Sequence, residues 1–147
     1  LYHNRTEIPE IAADLGASYV SLNELLSQSD FVTLNVPMTP DTSHLIGQNE
    51  LALMKPTAIL VNAARGGVLD HDALLEALRD STIWAAALDV TDPEPLPRGH
   101  PLLTLSYLVI APHLGSATRK TRIGMVQRTI ENLIAGLTGS KMPSQVA

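Results

Sequence analysis

Short runs of β-branched and apolar residues alternate along this chain with segments of helical period, and that alternation narrows the available folds more than any other feature. The runs lie at 30–36 (Asp-Phe-Val-Thr-Leu-Asn-Val), 57–62 (Thr-Ala-Ile-Leu-Val-Asn), 83–90 and 107–111. The second is nearly all apolar, as a strand covered on both faces of a parallel sheet must be. The rhythm predicts an α/β fold: a Rossmann-like, doubly wound parallel sheet. Leu1 and Tyr2 read as the tail of a strand and 18–20 as a brief one.

The segments between carry helix punctuation. Residues 8–15 form a short helix stopped by Gly16. Ser21 followed by Glu24 is a capping box, opening a helix with Leu22, Leu25 and Leu26 on one face. Residues 49–54 make one or two helical turns, and Asp70 caps a helix whose Leu74, Leu75 and Leu78 share a face. The proline-rich stretch 91–101 cannot be regular. From Ala117 a long helix runs to about Leu137, with Gly139 just beyond. The domain organisation expected is 1–116 as a partial dinucleotide-binding domain carrying the chemistry, and 117–147 as a C-terminal helix and tail.

Composition removes several classes of function. The 147 residues are 45% hydrophobic and 17% charged, enough for a core and too apolar for disorder. The net charge is −5 with no basic run, so neither nucleic acid nor a membrane surface is an expected partner. There are no cysteines, which excludes disulfides and thiolate metal sites and fits a reducing, cytoplasmic setting. No metal is expected, because His3, His44, His71 and His100 have no ligand-type spacing. His71, in the first turn after Asp70, is expected to be exposed.

One element of a dinucleotide-binding half is missing. Such a half begins with a strand, a Gly-x-Gly-x-x-Gly turn and a helix, and Gly66-Gly67 is the only close glycine pair. With Leu rather than Met at position 1 and no signal-peptide pattern, the chain reads as cut from something longer, starting inside the second strand. The absent strand would be central, so the segment alone is expected to be unstable or aggregation-prone.

Three polar clusters follow predicted strands: Asn62-Ala63-Ala64-Arg65-Gly66-Gly67, Asp89-Val90-Thr91-Asp92-Pro93-Glu94-Pro95, and Pro112-His113-Leu114-Gly115-Ser116-Ala117-Thr118. Open parallel sheets bind ligands at this edge. Reduction of a 2-oxo acid calls for such a set. A guanidinium (Arg65) grips the carboxylate and polarises the neighbouring carbonyl. An imidazolium (His113) donates a proton as hydride reaches carbon. A carboxylate (Glu94) favours the charged imidazole and orients it, and Asp89 could hold a nicotinamide carboxamide. Singly, each has a plainer reading: a solvated loop arginine, a surface acid, a hydrogen-bonded histidine, a turn brace. Their joint arrival at successive strand ends is what favours a site. The acid pair Asp89 and Glu94 lacks the aromatics of a sugar-binding groove, since the chain has one Trp and one Phe. Ser116 is not in a nucleophile elbow.

At these clusters, and at Asn35-Val36-Pro37-Met38-Thr39-Pro40, Ala87-Leu88-Asp89-Val90-Thr91-Asp92-Pro93-Glu94-Pro95-Leu96 and His100-Pro101-Leu102-Leu103, the chain resembles the D-isomer-specific 2-hydroxyacid dehydrogenases, in the glyoxylate/hydroxypyruvate reductase subgroup. The resemblance runs in order over essentially the whole chain. It implies that Arg65 binds and polarises substrate and that Glu94 and His113 form the acid–base pair. It implies that Val36, Pro37, Ala63, Ala64, Arg65, Asp89, His113 and Gly115 line the cofactor, and that Gly115 and Ser116 border the substrate with Arg65 and His113. It further implies a homodimer acting on a small 2-oxo or 2-hydroxy acid, and a last helix crossing toward a substrate domain. A related dehydrogenase of another acid, such as a phosphoglycerate type, and a non-catalytic dinucleotide sensor or corepressor-like protein stay open as alternatives.

The cofactor has a local clue. NAD enzymes place an acid at the end of the second strand for the ribose hydroxyls. Here the chain reads His3-Asn4-Arg5-Thr6, and Arg5 would attract a 2′-phosphate. NADP is therefore expected over NAD, with Asn4, Arg5 and Thr6 at the ribose.

Overall fold

The computed structural model describes residues 1–145 and divides the chain into two compact units, Leu1–Pro112 and His113–Ala147. The first is built on a parallel sheet of β1 (Phe31–Leu34), β2 (Ile59–Asn62), β3 (Ala85–Leu88) and β4 (Leu108–Ile110), ordered β1-β2-β3-β4. Register pairs Val32 with Leu60, Leu60 with Ala86, and Ala86 with Leu108. The strands expected at 30–36, 57–62, 83–90 and 107–111 are present with trimmed ends. The strand expected at 18–20 is absent; a single parallel bridge joins Tyr2 and Tyr19 instead. Two bonds make that bridge: Tyr2 N–H donates to the Ser18 carbonyl and Val20 N–H to the Tyr2 carbonyl.

Four helices, α1 (Pro9–Leu15), α2 (Leu22–Gln28), α3 (Gln48–Leu53) and α4 (His71–Arg79), complete the first unit. Gly16 ends α1 in the left-handed region at φ 61°, its N–H donating to the Ala12 carbonyl, a conformation that a Cβ disfavours. Ser21 caps α2 by accepting from Glu24 N–H at 3.2 Å. The expected return half of that box gives way to a side-chain pair one turn on, where the Glu24 carboxylate accepts from Gln28 Nε2 at 3.1 Å. Asp70 caps α4 through one carboxylate oxygen, which accepts from Asp72 and Ala73 N–H, both at 3.0 Å.

The core lies between the sheet and α2, α3 and α4. Leu26, Leu51, Leu60, Leu74 and Leu88 are essentially inaccessible, each burial removing about 1.5–3 kcal/mol of apolar hydration. Leu74, Leu75 and Leu78 share the buried face of α4 as their spacing requires. At the outer edge of β1, Phe31 stands exposed, and an apolar cavity of about 490 Å³ lies between that strand and the Tyr2 segment.

The second unit is dominated by α5 (Arg119–Leu137), capped by Thr118 accepting from Thr121 N–H at 3.2 Å. The helix begins two residues later than the sequence pattern suggests, because Thr118 supplies the cap. Ile123, Val126, Ile130, Leu133 and Leu137 form an exposed apolar stripe along it. No described helix is long and apolar enough to cross a membrane.

Candidate functional site

β2 ends on an asparagine that is wholly buried. A buried amide must find partners, and Asn62 finds them in the loop that follows: its Nδ2 donates to the Arg65 carbonyl and its Oδ1 accepts from Ala64 N–H, both at 3.0 Å. These two bonds fold the chain back over the strand end and leave Arg65 outward and exposed. Its Nη1 donates to the Ala64 carbonyl at 2.7 Å. The next strand is tied to the same point, since Asp89 N–H donates to the Asn62 carbonyl at 2.9 Å.

Gly66 then lets the loops after β2 and β3 meet. A Cβ on Gly66 would stand 2.1 Å from both the carbonyl carbon and oxygen of Thr91, and 2.6 Å from Asp92 N. No side chain can occupy that space, so glycine here is a condition for the contact rather than a turn requirement. A Cβ on Gly67 would lie 2.9 Å from Met38 Cε and 3.2 Å from Asp92 Oδ2. The β3 loop holds itself through the buried Thr91, whose hydroxyl donates to the Pro93 carbonyl at 3.0 Å. Glu94 follows, exposed and flanked by Pro93 and Pro95. The segments carrying Arg65 and Glu94 are thus in backbone contact.

Two cavities run along this edge. One of about 550 Å³ is lined by Asn35, Val36, Pro37, Met38, Ala63, Ala64 and Arg65. It shares Asn35 and Val36 with the cavity that includes His3 and Asn4. The two cavities thus adjoin at Asn35 and Val36, one bordered by Asn4 and the other by Pro37, Ala63, Ala64 and Arg65. The second offers the Arg65 cation beside the small side chains of Ala63 and Ala64, a donor set that fits part of a dinucleotide. The Asn4 end is well braced: Tyr19 hydroxyl donates to the Asn4 carbonyl at 3.0 Å, and His3 stacks on the Tyr19 ring at 5.9 Å. Arg5 and Thr6 are exposed beside it. A further cavity of about 390 Å³ gathers Asp89, Thr91 and Glu94 with Leu96, Leu103 and Ile110.

His113, Gly115 and Ser116 belong to the second unit, which opens at His113. His113 holds φ 54°, a left-handed conformation costing a non-glycine residue about 1–2 kcal/mol and often found where function requires a fixed side chain.

The sequence pattern misses three residues that shape this edge. Asn62 and Gly66 are contained in its polar cluster, yet only the fold shows one as a brace and the other as a contact point. His71 is contrary to expectation: it is 8% exposed, with Nε2 buried and no hydrogen-bond partner among the described residues. Its first-turn position suggested solvent, but the loop at Asp92 and the single turn Pro101–Thr104, capped by His100, come to its side of α4. Burial pushes the His71 pKa down from 6.5, against the opposing pull of Asp92.

Residues 1–115 match the model of the D-isomer specific 2-hydroxyacid dehydrogenase NAD binding domain. A glyoxylate reductase of Aeropyrum pernix is 49% identical over 146 residues, covering 99% of this chain and 44% of the relative. A glyoxylate/hydroxypyruvate reductase B of Enterobacter agglomerans is 50% identical, covering 95% of this chain and 43% of the relative. Among solved structures, the NAD-complexed D-isomer specific 2-hydroxyacid dehydrogenase of Lactobacillus delbrueckii superposes with a TM-score of 0.88 at 30% identity, covering 99% of this chain and 47% of that one. The chain spans less than half the length of these relatives.

Proposed function

We propose, starting from the fact that this chain belongs to the D-isomer specific 2-hydroxyacid dehydrogenase family, that the protein reduces glyoxylate to glycolate or hydroxypyruvate to D-glycerate. The observation that carries the reading is the Gly66–Thr91 contact, which puts the Arg65 and Glu94 segments together at adjacent strand ends. In this reading residues 1–116 carry the chemistry, and the following helix returns toward a substrate domain. The reading extends to a homodimer in a reducing, cytoplasmic setting, supported by the cysteine-free composition.

The adjoining cavities at Asn4 and at Arg65 would hold the dinucleotide, which when bound supplies the hydride. Val36, Pro37, Ala63 and Ala64 pack against it, and Asp89, His113 and Gly115 hold its reactive end. Arg65 binds the substrate carboxylate with its guanidinium fork and draws electron density from the adjacent carbonyl. When hydride adds to the carbonyl carbon, His113 would give its proton to the oxygen, so the aldehyde of glyoxylate or the ketone of hydroxypyruvate becomes an alcohol with charge balanced. Glu94 serves His113 as its acid partner, favouring the protonated imidazole before transfer. Gly115 and Ser116 border the substrate.

NADPH is preferred over NADH. Arg5 supports this, exposed beside the braced Asn4 with Thr6 next to it, where a 2′-phosphate would find a cation and a hydroxyl. His113→Ala should abolish reduction of glyoxylate in the intact protein while cofactor binding, followed by fluorescence of bound NADPH, is largely spared. Turnover surviving that change would sink the reading. Comparable catalytic efficiency with NADH and NADPH would refute the cofactor preference alone.

A further inference from the structure

The segment that leaves the Tyr2 bridge carries a histidine whose ring is tied on one side and open on the other. His3 Nδ1 lies 2.8 Å from the Val20 carbonyl oxygen. A carbonyl only accepts, so Nδ1 bears the hydrogen and Nε2 is the acceptor of the neutral ring. The ring also lies nearly parallel to Tyr19, at 14° and 5.9 Å between centroids. The Tyr19 hydroxyl in turn donates to the Asn4 carbonyl at 3.0 Å, so one tyrosine braces two consecutive residues. His3 is nonetheless exposed, and holding an exposed side chain costs it rotamer freedom. Nε2 is the one polar atom of the ring without a hydrogen-bond partner among the described residues.

The surroundings say what that atom can take. His3 and Asn4 line the cavity at this strand end, and its other lining residues carry no charged side chain. The titratable groups close to His3 in the chain are Arg5 and Glu7, both exposed, and the group packed on it from another segment is the Tyr19 phenol. A phosphate dianion presents only acceptors, so a bare Nε2 gives it nothing. One proton turns Nε2 into a charged donor, the kind of partner a phosphate oxygen binds most strongly. The ring need not turn for this, because Nδ1–H stays on the Val20 carbonyl in both states.

We propose that His3 is a second contact for the 2′-phosphate of the dinucleotide, made beside Arg5 and only when the imidazole carries a proton. The inference rests on the reading of Arg5 as the cation for that phosphate. Arg5 keeps its charge at every physiological pH, whereas the contribution of His3 grows as pH falls through the range in which histidines titrate. The phosphate changes in the opposite sense, since below about pH 6 it gains a proton and loses charge. The contribution of His3 is therefore read as a difference between the unaltered protein and a variant.

The test is calorimetric binding of adenosine 2′,5′-bisphosphate and of 5′-AMP, which differ by the 2′-phosphate alone, to the intact protein at about pH 6 and about pH 8. His3→Gln keeps an amide donor for Val20 and takes no proton. His3→Phe keeps the flat face for Tyr19 and covers the case in which His3→Gln does not fold. Relative to either variant, the unaltered protein should favour the bisphosphate over 5′-AMP about fivefold more at pH 6 than at pH 8. Repeated near pH 6.5 in buffers of different ionisation enthalpy, its binding of the bisphosphate should take up about half a proton more than that of the variants, with no such excess for 5′-AMP. A pH dependence in either variant equal to that of the unaltered protein overturns the inference. So does a loss of affinity shared equally by the two nucleotides, which would make His3 a support for the adenosine. Failure of the NADPH reading looks different: an unaltered protein that binds both nucleotides equally at both pH values has no phosphate preference for His3 to add to.

Discussion

The loops after β2 and β3 lie against each other and are held by opposite means. The first, 62–67, is held from inside by Asn62, whose amide satisfies and is satisfied by two backbone groups. The second, 89–95, is tied to the first by Asp89 N–H on the Asn62 carbonyl and braced within itself by the Thr91 hydroxyl on the Pro93 carbonyl. Arg65 thus sits on the loop braced by a buried amide, and Glu94 on the one braced by a threonine hydroxyl. At Gly66 the two meet with no room for a methyl group.

The change expected to break this arrangement most severely is Gly66→Ala. Its Cβ would lie 2.1 Å from the Thr91 carbonyl, far inside van der Waals contact, so both loops must move; we expect a loss of about 3 kcal/mol or more in urea unfolding together with loss of turnover. Stability equal to that of the unaltered protein would show that the two loops do not depend on each other.

Next in size are the charged residues that the loops present. Arg65→Lys keeps the charge but loses the bidentate fork, and Glu94→Gln keeps the shape but loses the charge. Each should lower kcat/KM for glyoxylate by about 10²–10⁴-fold with unfolding midpoints almost unchanged, because both side chains are exposed. A large stability loss in either would reassign it to a structural role.

Asn62→Leu sharpens the contrast from the side of the first loop. It leaves Ala64 N–H and the Arg65 carbonyl without their partner, at a cost of about 1–3 kcal/mol. Hydrogen exchange should rise at Ala64 and Arg65 and stay unchanged at Glu94. Equal loosening of both loops would dissolve the distinction.

The smallest expected effect is in acid stability. The His71 pKa in the folded chain lies below its unfolded value of 6.5, so the unfolded state binds the proton first. Stability is therefore fully present above pH 6.5 and declines as pH falls below it toward the lowered folded value. His71→Gln should have a shallower decline of the urea midpoint in that window. An identical slope would mean that His71 titrates as it does in the unfolded chain.

Local sequence determined the elements and their order. Apolar runs flanked by helical periods leave little choice but parallel strands with crossover helices, and Gly16, Ser21, Asp70 and Thr118 punctuate the helices by bonds to their immediate neighbours. The motifs at Arg65, Asp89, Glu94 and His113 were also legible, because the chemistry they suggest depends on residue type and on position just beyond a strand. The 18–20 segment was not legible, since a strand needs partners that its own residues do not name. What tertiary structure alone decided was which polar groups went inside. Asn62, Gly66 and His71 take their roles from Ala64, Arg65, Thr91 and Asp92. Of these contacts, those with Thr91 and Asp92 span separations at which no periodicity operates. Burial, and with it the worth of a hydrogen bond or a proton, is a property of what packs alongside and not of the residue itself.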